Sequence, residues 1–252
     1  MNKPQIIKTV REWQRLNFNG QSLGFVPTMG ALHAGHLSLI RKAKEQNAIT
    51  AVSIYVNPTQ FNDKTDFENY PSTIESDILA LSKEGVDYLF LPNYSELYPD
   101  AYSFRVNELN LSKVLCGQNR PGHFAGVLTV VLKLLNIIRP QRAYFGQKDY
   151  QQYTLIKEMC KAFFLPVEII GCKTVREKDG LALSSRNKLL DKKQRALATK
   201  FSQTLCAQKS IPDMESELIK LGFNVDYIEE HFGRRFGAVR LGQVRLIDNV
   251  EL

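Results

Sequence analysis

Two histidines three residues apart stand where an apolar strand is predicted to give way to a helix. They are His33 and His36 in the segment GFVPTMGALHAGH, and on a helix they would share one face. A helix N-terminus that follows a parallel strand offers free backbone N–H groups and a partial positive charge, which together favour a bound phosphate. Gly35 leaves room for a flat group to lie close. The segment therefore predicts an anion site, although an HxxH pair alone is also typical of helices with no such role. With no carboxylate nearby, we predict no metal-ligating residues.

A second group of polar residues, GQKDYQQ, opens another predicted helix at Gly146. Gly146 allows the backbone to approach a ligand, and Lys148 is a mobile charge suited to phosphate oxygens. Asp149 stands where an N-cap is expected and could equally bind a ribose hydroxyl. Gln151 and Gln152 both donate and accept hydrogen bonds, which suits a hydroxy acid. A capped helix with a solvated lysine is the alternative interpretation.

Two further segments have a weaker pattern of the same kind. In EKDGLALSSRN, two hydroxyls and a guanidinium, from Ser184, Ser185 and Arg186, could hold a polyphosphate or cap a helix. In VNPTQF, Asn57 and Gln60 supply neutral hydrogen-bonding groups, and the segment could also be an ordinary turn. All four segments are expected at the carboxyl edge of an open α/β sheet, where ligands bind in such folds.

The elements that must position these residues alternate between strand and helix. This alternation predicts a Rossmann-like parallel sheet with helices on both faces. Strands are predicted at 22–27, 48–56, 86–91, 143–145 and 167–170, and helices at 4–18, 31–46, 72–84, 126–138 and 149–164. After a charged loop, helices at 188–208 and 214–221 and strands at 223–229 and 239–248 predict a smaller α+β unit. We expect a nucleotide-binding domain over 1–173 and a small lid domain over 174–252.

Composition restricts the classes of protein that remain. The 252 residues include 33 Lys and Arg against 26 Asp and Glu, a net charge of +7 that favours an anionic partner. The hydrophobic fraction of 44% excludes global disorder. We expect no membrane partner, because no apolar run approaches the roughly 18 residues of a spanning helix and the N-terminus lacks a signal-peptide core. Four scattered cysteines without CxxC spacing favour a reducing cytoplasm.

Five segments in order resemble the pantoate–β-alanine ligase family, within the HIGH-type nucleotidyltransferase superfamily. They are PTMGALHAGH, YVNPTQF, NRPGHFAGV, FGQKDYQQ and DGLALSSRN. The resemblance implies that ATP activates pantoate as an acyl-adenylate, which β-alanine then attacks, with release of AMP and pyrophosphate. It also implies Mg2+ with the ATP and a homodimer.

The resemblance also assigns residues to roles. It implies that His36 is catalytic, and charge considerations add His33, Lys148 and Arg186 as donors to the phosphates. Gln60 would hold pantoate and help to place β-alanine, and Gln152 would hold pantoate. The implied nucleotide contacts are Met29, Gly30, Ala31, Leu32, His33, Ala34, Gly35, His36, Gly146, Gln147, Lys148, Asp149, Val175, Leu183, Ser184, Ser185 and Arg186. Gln147 replaces the glutamate usual in the family, and the C-terminal region looks shorter than is usual.

Two alternatives remain open at this stage. Another HIGH-type nucleotidyltransferase or adenylate-forming ligase would keep the HxxH pair and the Ser-Ser-Arg loop without requiring VNPTQF. A non-catalytic nucleic-acid-binding protein would explain the positive charge. We expect no nucleic-acid partner, because no dense Lys/Arg cluster is interleaved with aromatic residues.

Overall fold

A parallel sheet of six strands forms the centre of the structure. The computed structural model describes residues 2–62 and 64–252. The strands are β1 (Gln5–Ile7), β2 (Leu23–Thr28), β3 (Ile49–Ile54), β4 (Tyr88–Phe90), β5 (Arg142–Gly146) and β6 (Glu168–Cys172), in the order β1-β4-β3-β2-β5-β6. All paired neighbours run parallel. This confirms the predicted fold class.

Helices cover both faces of this sheet because successive residues of each buried strand point to opposite sides. They are α1 (Val10–Gln14), α2 (Ala34–Gln46), α3 (Lys64–Glu68), α4 (Ile74–Glu84), α5 (Tyr94–Leu97), α6 (Cys116–Asn119), α7 (His123–Ile138) and α8 (Tyr150–Ala162). Phe25 of β2 packs in a core with α7 and α8, whereas its neighbour Val26 packs in a second core with α2 and α4. Helix α7 is buried nearly all round, as its sequence predicts.

A second, antiparallel sheet forms the C-terminal part of the chain. Its strands are β7 (Asn224–His231), β8 (Arg234–Leu241) and β9 (Val244–Glu251), and helices α9 (Lys192–Cys206) and α10 (Ile211–Lys220) accompany it. These elements have their own apolar cluster. Tyr227, Phe236 and Ala238, however, lie in the core shared with α7. A domain boundary near residue 174 therefore stays a prediction.

Two predicted elements are wrong. Residues 4–18 do not form one helix: residues 5–7 pair with β4, and α1 begins only after Thr9, whose hydroxyl and the Glu12 carboxylate form a capping box. The strand predicted over 239–248 is a hairpin, in which Gly242 has a φ of 61° and the chain reverses between β8 and β9. In both places a local turn interrupts an apolar pattern. No helix in the described ranges is long and apolar enough to span a membrane.

Candidate active site

A cleft of about 300 Å³ opens at the carboxyl edge of the parallel sheet. Its wall contains residues from all four segments singled out in the sequence. The predicted site residues in this wall are Met29, His33, Gly35, His36, Gln60, Gly146, Lys148, Asp149, Gln152, Val175, Leu183, Ser184, Ser185 and Arg186. Because parallel strands end at one edge, segments far apart in the chain meet there.

His33 and His36 stack against each other, with ring centroids 4.1 Å apart. His33 is not helical as expected: it is the N-cap of α2, with a φ of −138°. Its Nδ1 accepts a hydrogen bond from the Gly35 N–H at 3.1 Å, and Nδ1 of His36 accepts one from the His33 N–H at 3.4 Å. An Nδ1 that accepts leaves the proton of the neutral ring on Nε2. Both rings are therefore oriented as Nε2–H donors.

Burial keeps both imidazoles neutral. It lowers the pKa of His36 to about 3, with the neighbouring His33 adding to the effect. Burial likewise lowers the pKa of His33 to about 4, and the Lys148 and Lys188 cations lower it further. At neutral pH the pair therefore supplies N–H donors without adding positive charge.

The glycine between the histidines makes room for the first of them. A Cβ on Gly35 would lie 2.8 Å from Cε1 of His33, so the packing of the His33 ring already requires a glycine here. Gly35 also lines the cleft, and the approach of a flat ligand to it stays a prediction.

Backbone N–H groups before α2 are already occupied within the protein. The buried Asp77 carboxylate accepts hydrogen bonds from Ala31 N–H at 2.9 Å and Leu32 N–H at 2.8 Å. The expectation that these N–H groups are free for a phosphate is therefore wrong. Gly30, Ala31, Leu32 and Ala34 also lie outside the cleft wall. Nucleotide contacts by these four residues stay a prediction.

The segment around Lys148 forms a 3-10 helix over Gln147–Asp149, directly after β5. Lys148 and Asp149 line the cleft, with Nζ and Oδ1 3.5 Å apart. The Asp149 side chain does not cap α8, contrary to expectation, so its carboxylate is left for other contacts. Gln147 lies outside the cleft wall.

Asn249 of β9, the last residue of the segment RLIDN, fixes this turn, a role that the sequence does not indicate. Its Nδ2 donates to the carbonyl oxygens of Gln147 and Lys148 at 2.9 and 2.8 Å. Arg234 Nε donates in turn to Asn249 Oδ1 at 2.7 Å. The C-terminal sheet therefore positions the backbone of the Lys148 segment.

Arg186 enters the cleft wall from the loop before α9 and has an acidic partner. Its Nη2 lies 2.8 Å from Oδ2 of Asp66 in α3. Ser184 accepts a hydrogen bond from the Arg186 N–H at 3.3 Å and caps a 3-10 helix, so the capping role considered for this loop is present. The same loop also places Arg186 in the cleft wall.

Asn57 holds the VNPTQF turn in shape. It is 1% exposed, and its Nδ2 donates to Gly126 O and Gln60 Oε1, each at 3.2 Å. Tyr98 donates its hydroxyl proton to Asn57 Oδ1 at 2.9 Å. Nε2 of Gln60 lies 3.0 Å from Sδ of Met29. Asn57 is thus a structural residue, and Gln60 faces the cleft beside it.

The two adjacent glutamines after Lys148 both line the cleft. Gln151 is buried, donates to Leu111 O and Val114 O at 2.8 Å, and accepts from Cys116 N–H at 3.1 Å. Its hydrogen bonds hold the loop before α6 and use both of its N–H donors, so Gln151 has no donor left for a hydroxy acid. Gln152 lies beside it in the cleft wall.

Arg120 and His123 also line the cleft, and residue-level reasoning missed them. His123 Nδ1 donates to Gln60 O at 2.8 Å, and Arg120 Nη1 donates to His123 Nε2 at 2.9 Å. Burial lowers the pKa of His123 to about 3 and that of Arg120 to about 10. The segment NRPGHF contained a signal for this pair, because it has a basic residue and a histidine three apart directly before an apolar helix.

An open parallel sheet with a cation-lined cleft at its carboxyl edge, and a neutral HxxH pair at the entry to a helix, defines an α/β enzyme that binds nucleotide phosphates. The profile of one family, Pantoate-beta-alanine ligase, matches residues 3–251. The chain belongs to this family.

Several relatives are similar over nearly the whole chain. Pantothenate synthetases from Legionella pneumophila (strain Corby) and Coxiella burnetii (strain RSA 331) are each 49% identical over 248 residues; the alignments span 97% and 98% of this chain and 98% and 96% of those proteins. A crystal structure of the pantoate-beta-alanine ligase of Francisella tularensis, complexed with beta-gamma ATP and beta-alanine, has a TM-score of 0.94 at 43% identity and covers 98% and 97% of the two chains. The pantothenate synthetase of Thermus thermophilus has a TM-score of 0.90 at 39% identity, with coverage of 98% and 99%.

Proposed function

We propose that this cleft joins pantoate to β-alanine at the expense of ATP, through a pantoyl-adenylate, with release of AMP and pyrophosphate. The observation that carries the proposal is the meeting of His33, His36, Lys148 and Arg186 in one cleft with Gln60 and Gln152. The first four residues supply phosphate donors, and the two amides supply neutral partners for a small hydroxy acid. Another nucleotidyltransferase of the superfamily would not need the two amide side chains of Gln60 and Gln152.

In the first step, a carboxylate oxygen of pantoate attacks the α-phosphorus, and the bond to pyrophosphate breaks. Negative charge grows on the phosphate oxygens. The Nε2–H groups of His33 and His36, the ammonium of Lys148 and the guanidinium of Arg186 are the donors for that charge. One preorganised donor of this kind contributes about 3–4 kcal/mol to lowering the barrier. Because the imidazoles are neutral, they donate without a preceding protonation.

In the second step, the neutral amine of β-alanine attacks the pantoyl carbonyl carbon, the bond to AMP breaks, and the nitrogen releases one proton to solvent as the amide forms. An unperturbed alkylamine has a pKa of about 10, so the amine must lose a proton before it attacks. The mechanism needs no serine or cysteine nucleophile, since ATP supplies the leaving group.

The remaining predicted contacts follow from positions in the cleft wall. Met29, Val175 and Leu183 supply apolar surface, and Ser184 and Ser185 supply hydroxyls next to Arg186 in the chain. We assign the segment 174–252 the role of a lid. Its residues 183–186 form part of the cleft wall, which supports this assignment.

Mg2+ is part of the proposal as the companion of ATP. Within the described residues, no group of three or more His, Cys, Asp or Glu side chains could hold a metal ion. Mg2+ bound to nucleotides usually keeps several waters and takes only one or two carboxylates beside the phosphates, so a site with few protein ligands fits this ion. Although the sequence predicted no metal-ligating residue, Asp149, with 45% of its side chain exposed in the cleft wall, would be the protein contact of this nucleotide-bound ion. The ion would neutralise phosphate charge there.

A homodimer and a cytoplasmic location complete the proposal. The resemblance to the family supports the dimer, and light scattering on the purified protein tests it. Cys116, Cys160, Cys172 and Cys206 are all free thiols, which suits a reducing compartment.

Pyrophosphate exchange tests the proposed reaction. With ATP, Mg2+ and labelled pyrophosphate, label should enter ATP only when pantoate is present, and AMP should accumulate only when β-alanine is added. Exchange with a different carboxylate in place of pantoate would assign the chain to a sister ligase. Gln60→Ala should raise the KM for pantoate more than the KM for ATP, and an equal effect on both would remove Gln60 from the pantoate site.

A further inference from the structure

Arg120, Lys173 and Arg245 are cations in the described cleft wall that the proposed chemistry leaves without a role, and Arg120 is the one that is both partly buried and without an ion pair. It lies between α6 and α7 and is partly buried. Its guanidinium donates to His123 Nε2 at 2.9 Å and to Gln60 O at 3.3 Å. Of the five N–H donors of an arginine, these contacts use two, and three remain for a ligand.

Arg120 has no ion-pair partner of its own. Among residues 2–62 and 64–252, neither Arg120 nor Lys173 forms an ion pair with a carboxylate, and Lys173 is exposed to solvent. Asp66, which is paired with Arg186, acts on Arg120 only at longer range. A partly buried cation without a counter-charge is unfavourable until an anion binds it. The other cations of the wall each lie beside a carboxylate: Lys148 at 3.5 Å from Asp149, Arg186 at 2.8 Å from Asp66, and Arg245 at 2.7 Å from Asp226.

Two neutral groups hold the guanidinium in place. His123 is 8% exposed and is fixed at its other nitrogen by Gln60 O at 2.8 Å. Burial lowers its pKa to about 3, so it accepts from Arg120 instead of competing with it as a second cation. The free edge of Arg120 is therefore preorganised for a planar, bidentate anion such as a carboxylate.

The chemistry of the two steps selects which carboxylate this is. The carboxylate of pantoate reacts with ATP and must face the α-phosphorus, on the side of His36 and Lys148. The carboxylate of β-alanine is unchanged by the reaction and must lie away from the phosphates while the amine reaches the pantoyl carbonyl. Arg120 contacts the backbone of Gln60, the residue proposed to hold pantoate, which puts it beside the acyl group.

We infer that Arg120 binds the carboxylate of β-alanine and makes the second step selective for amines that carry one. This inference rests on the proposed function of the cleft. It adds a specificity residue that acts only after the adenylate has formed, with His123 as its positioning residue.

The test separates the two half-reactions in Arg120→Gln and Arg120→Lys. Pantoate-dependent pyrophosphate exchange without β-alanine should stay within about 3-fold of the parent rate in both variants. The KM for β-alanine should rise about 10- to 100-fold in Arg120→Gln, as expected for loss of a charge-assisted hydrogen bond. The KM for β-alanine of Arg120→Lys should lie between those of the parent enzyme and Arg120→Gln, because lysine keeps the charge but not the planar guanidinium. Arg105→Gln, an exposed arginine outside the cleft wall, is the matched control and should leave both half-reactions unchanged.

Selectivity between amines gives a readout that a purely structural role would not change. The parent enzyme should use β-alanine at least about 10-fold better than 3-aminopropanamide, and Arg120→Gln should lose most of that preference. If the preference for β-alanine survives in Arg120→Gln, the inference is overturned. A rise in the KM for pantoate or ATP instead would also overturn it, and would show that Arg120 serves the first step. Failure of the parent enzyme to exchange pyrophosphate with pantoate would instead overturn the proposed function itself.

Discussion

The ion pair between Arg186 and Asp66 predicts how tightly the enzyme binds ATP. Arg186 is proposed to contact the triphosphate, yet its guanidinium is occupied by the Asp66 carboxylate at 2.8 Å. A bound phosphate must therefore replace or share this partner. We expect Asp66→Asn to strengthen ATP binding, since the amide keeps the shape of the side chain but holds Arg186 less firmly.

The exposure of the pair sets the size of the effect. The side chains of Arg186 and Asp66 are 31% and 37% exposed, so solvent screens their attraction. Ion pairs of this kind contribute about 0.2–1 kcal/mol, which corresponds to a decrease of about 1.4- to 5-fold in the Kd for ATP. Calorimetric titration of the Asp66→Asn variant with ATP and Mg2+, without pantoate, measures this change. Added salt should reduce the gain, because it already weakens the pair in the parent enzyme.

Two controls separate release of Arg186 from a general change in charge. Glu45→Gln removes the same charge from an exposed pair with Lys42 and should leave the Kd unchanged. In an Arg186→Ala background, Asp66→Asn should no longer strengthen binding, whereas simple repulsion between Asp66 and ATP would persist there. Weaker ATP binding in the single Asp66→Asn variant would refute the reasoning and show that Asp66 positions Arg186 for the phosphate.

Three further predictions concern histidines and packing. His36→Ala should slow pantoate-dependent pyrophosphate exchange by about 100-fold or more while circular dichroism shows an intact fold; a near-normal rate would contradict its role as a donor. Burial lowers the pKa of His123 to about 3 in the folded protein, whereas the unfolded chain has the ordinary histidine pKa of 6.5. Between these two values the unfolded state binds more protons, so the free energy of unfolding falls as the pH falls. His123→Gln should remove about 1 kcal/mol of this loss between about pH 6.5 and 5.5, measured by urea unfolding. If the free energy of unfolding has the same slope against pH in both proteins, His123 is not shielded from protonation. Gly126→Ala would place a Cβ 2.4 Å from Thr59 O, so we expect about 1–3 kcal/mol of destabilisation and a higher KM for pantoate; unchanged values would show that α7 can shift away from the turn.

Regular elements with a strong apolar pattern were predictable from the sequence. The buried run at β2 and the apolar helix α7 lie where their periodicity indicates. Helix α4 ends before Gly85, which has a φ of 64° and accommodates the left-handed turn at low steric cost. Short elements were not predictable: three residues are enough for β1 only because β4 lies beside it. Pairing with a neighbour overrides the local preference of so short a segment.

The family, the parallel α/β fold and the four polar segments that meet in the cleft wall were already evident from the order of the amino acids, because residue types and the strand ends before them are local properties. Which polar groups are free became evident only from the folded chain. Asp77 accepts hydrogen bonds from the N–H groups of Ala31 and Leu32, and the Gln151 amide donates to the loop before α6. Arg120 and Asn249 act at the site through contacts with distant segments. A hydrogen-bonding group is available to a ligand only if no neighbour in space has satisfied it, and chain spacing does not record those neighbours.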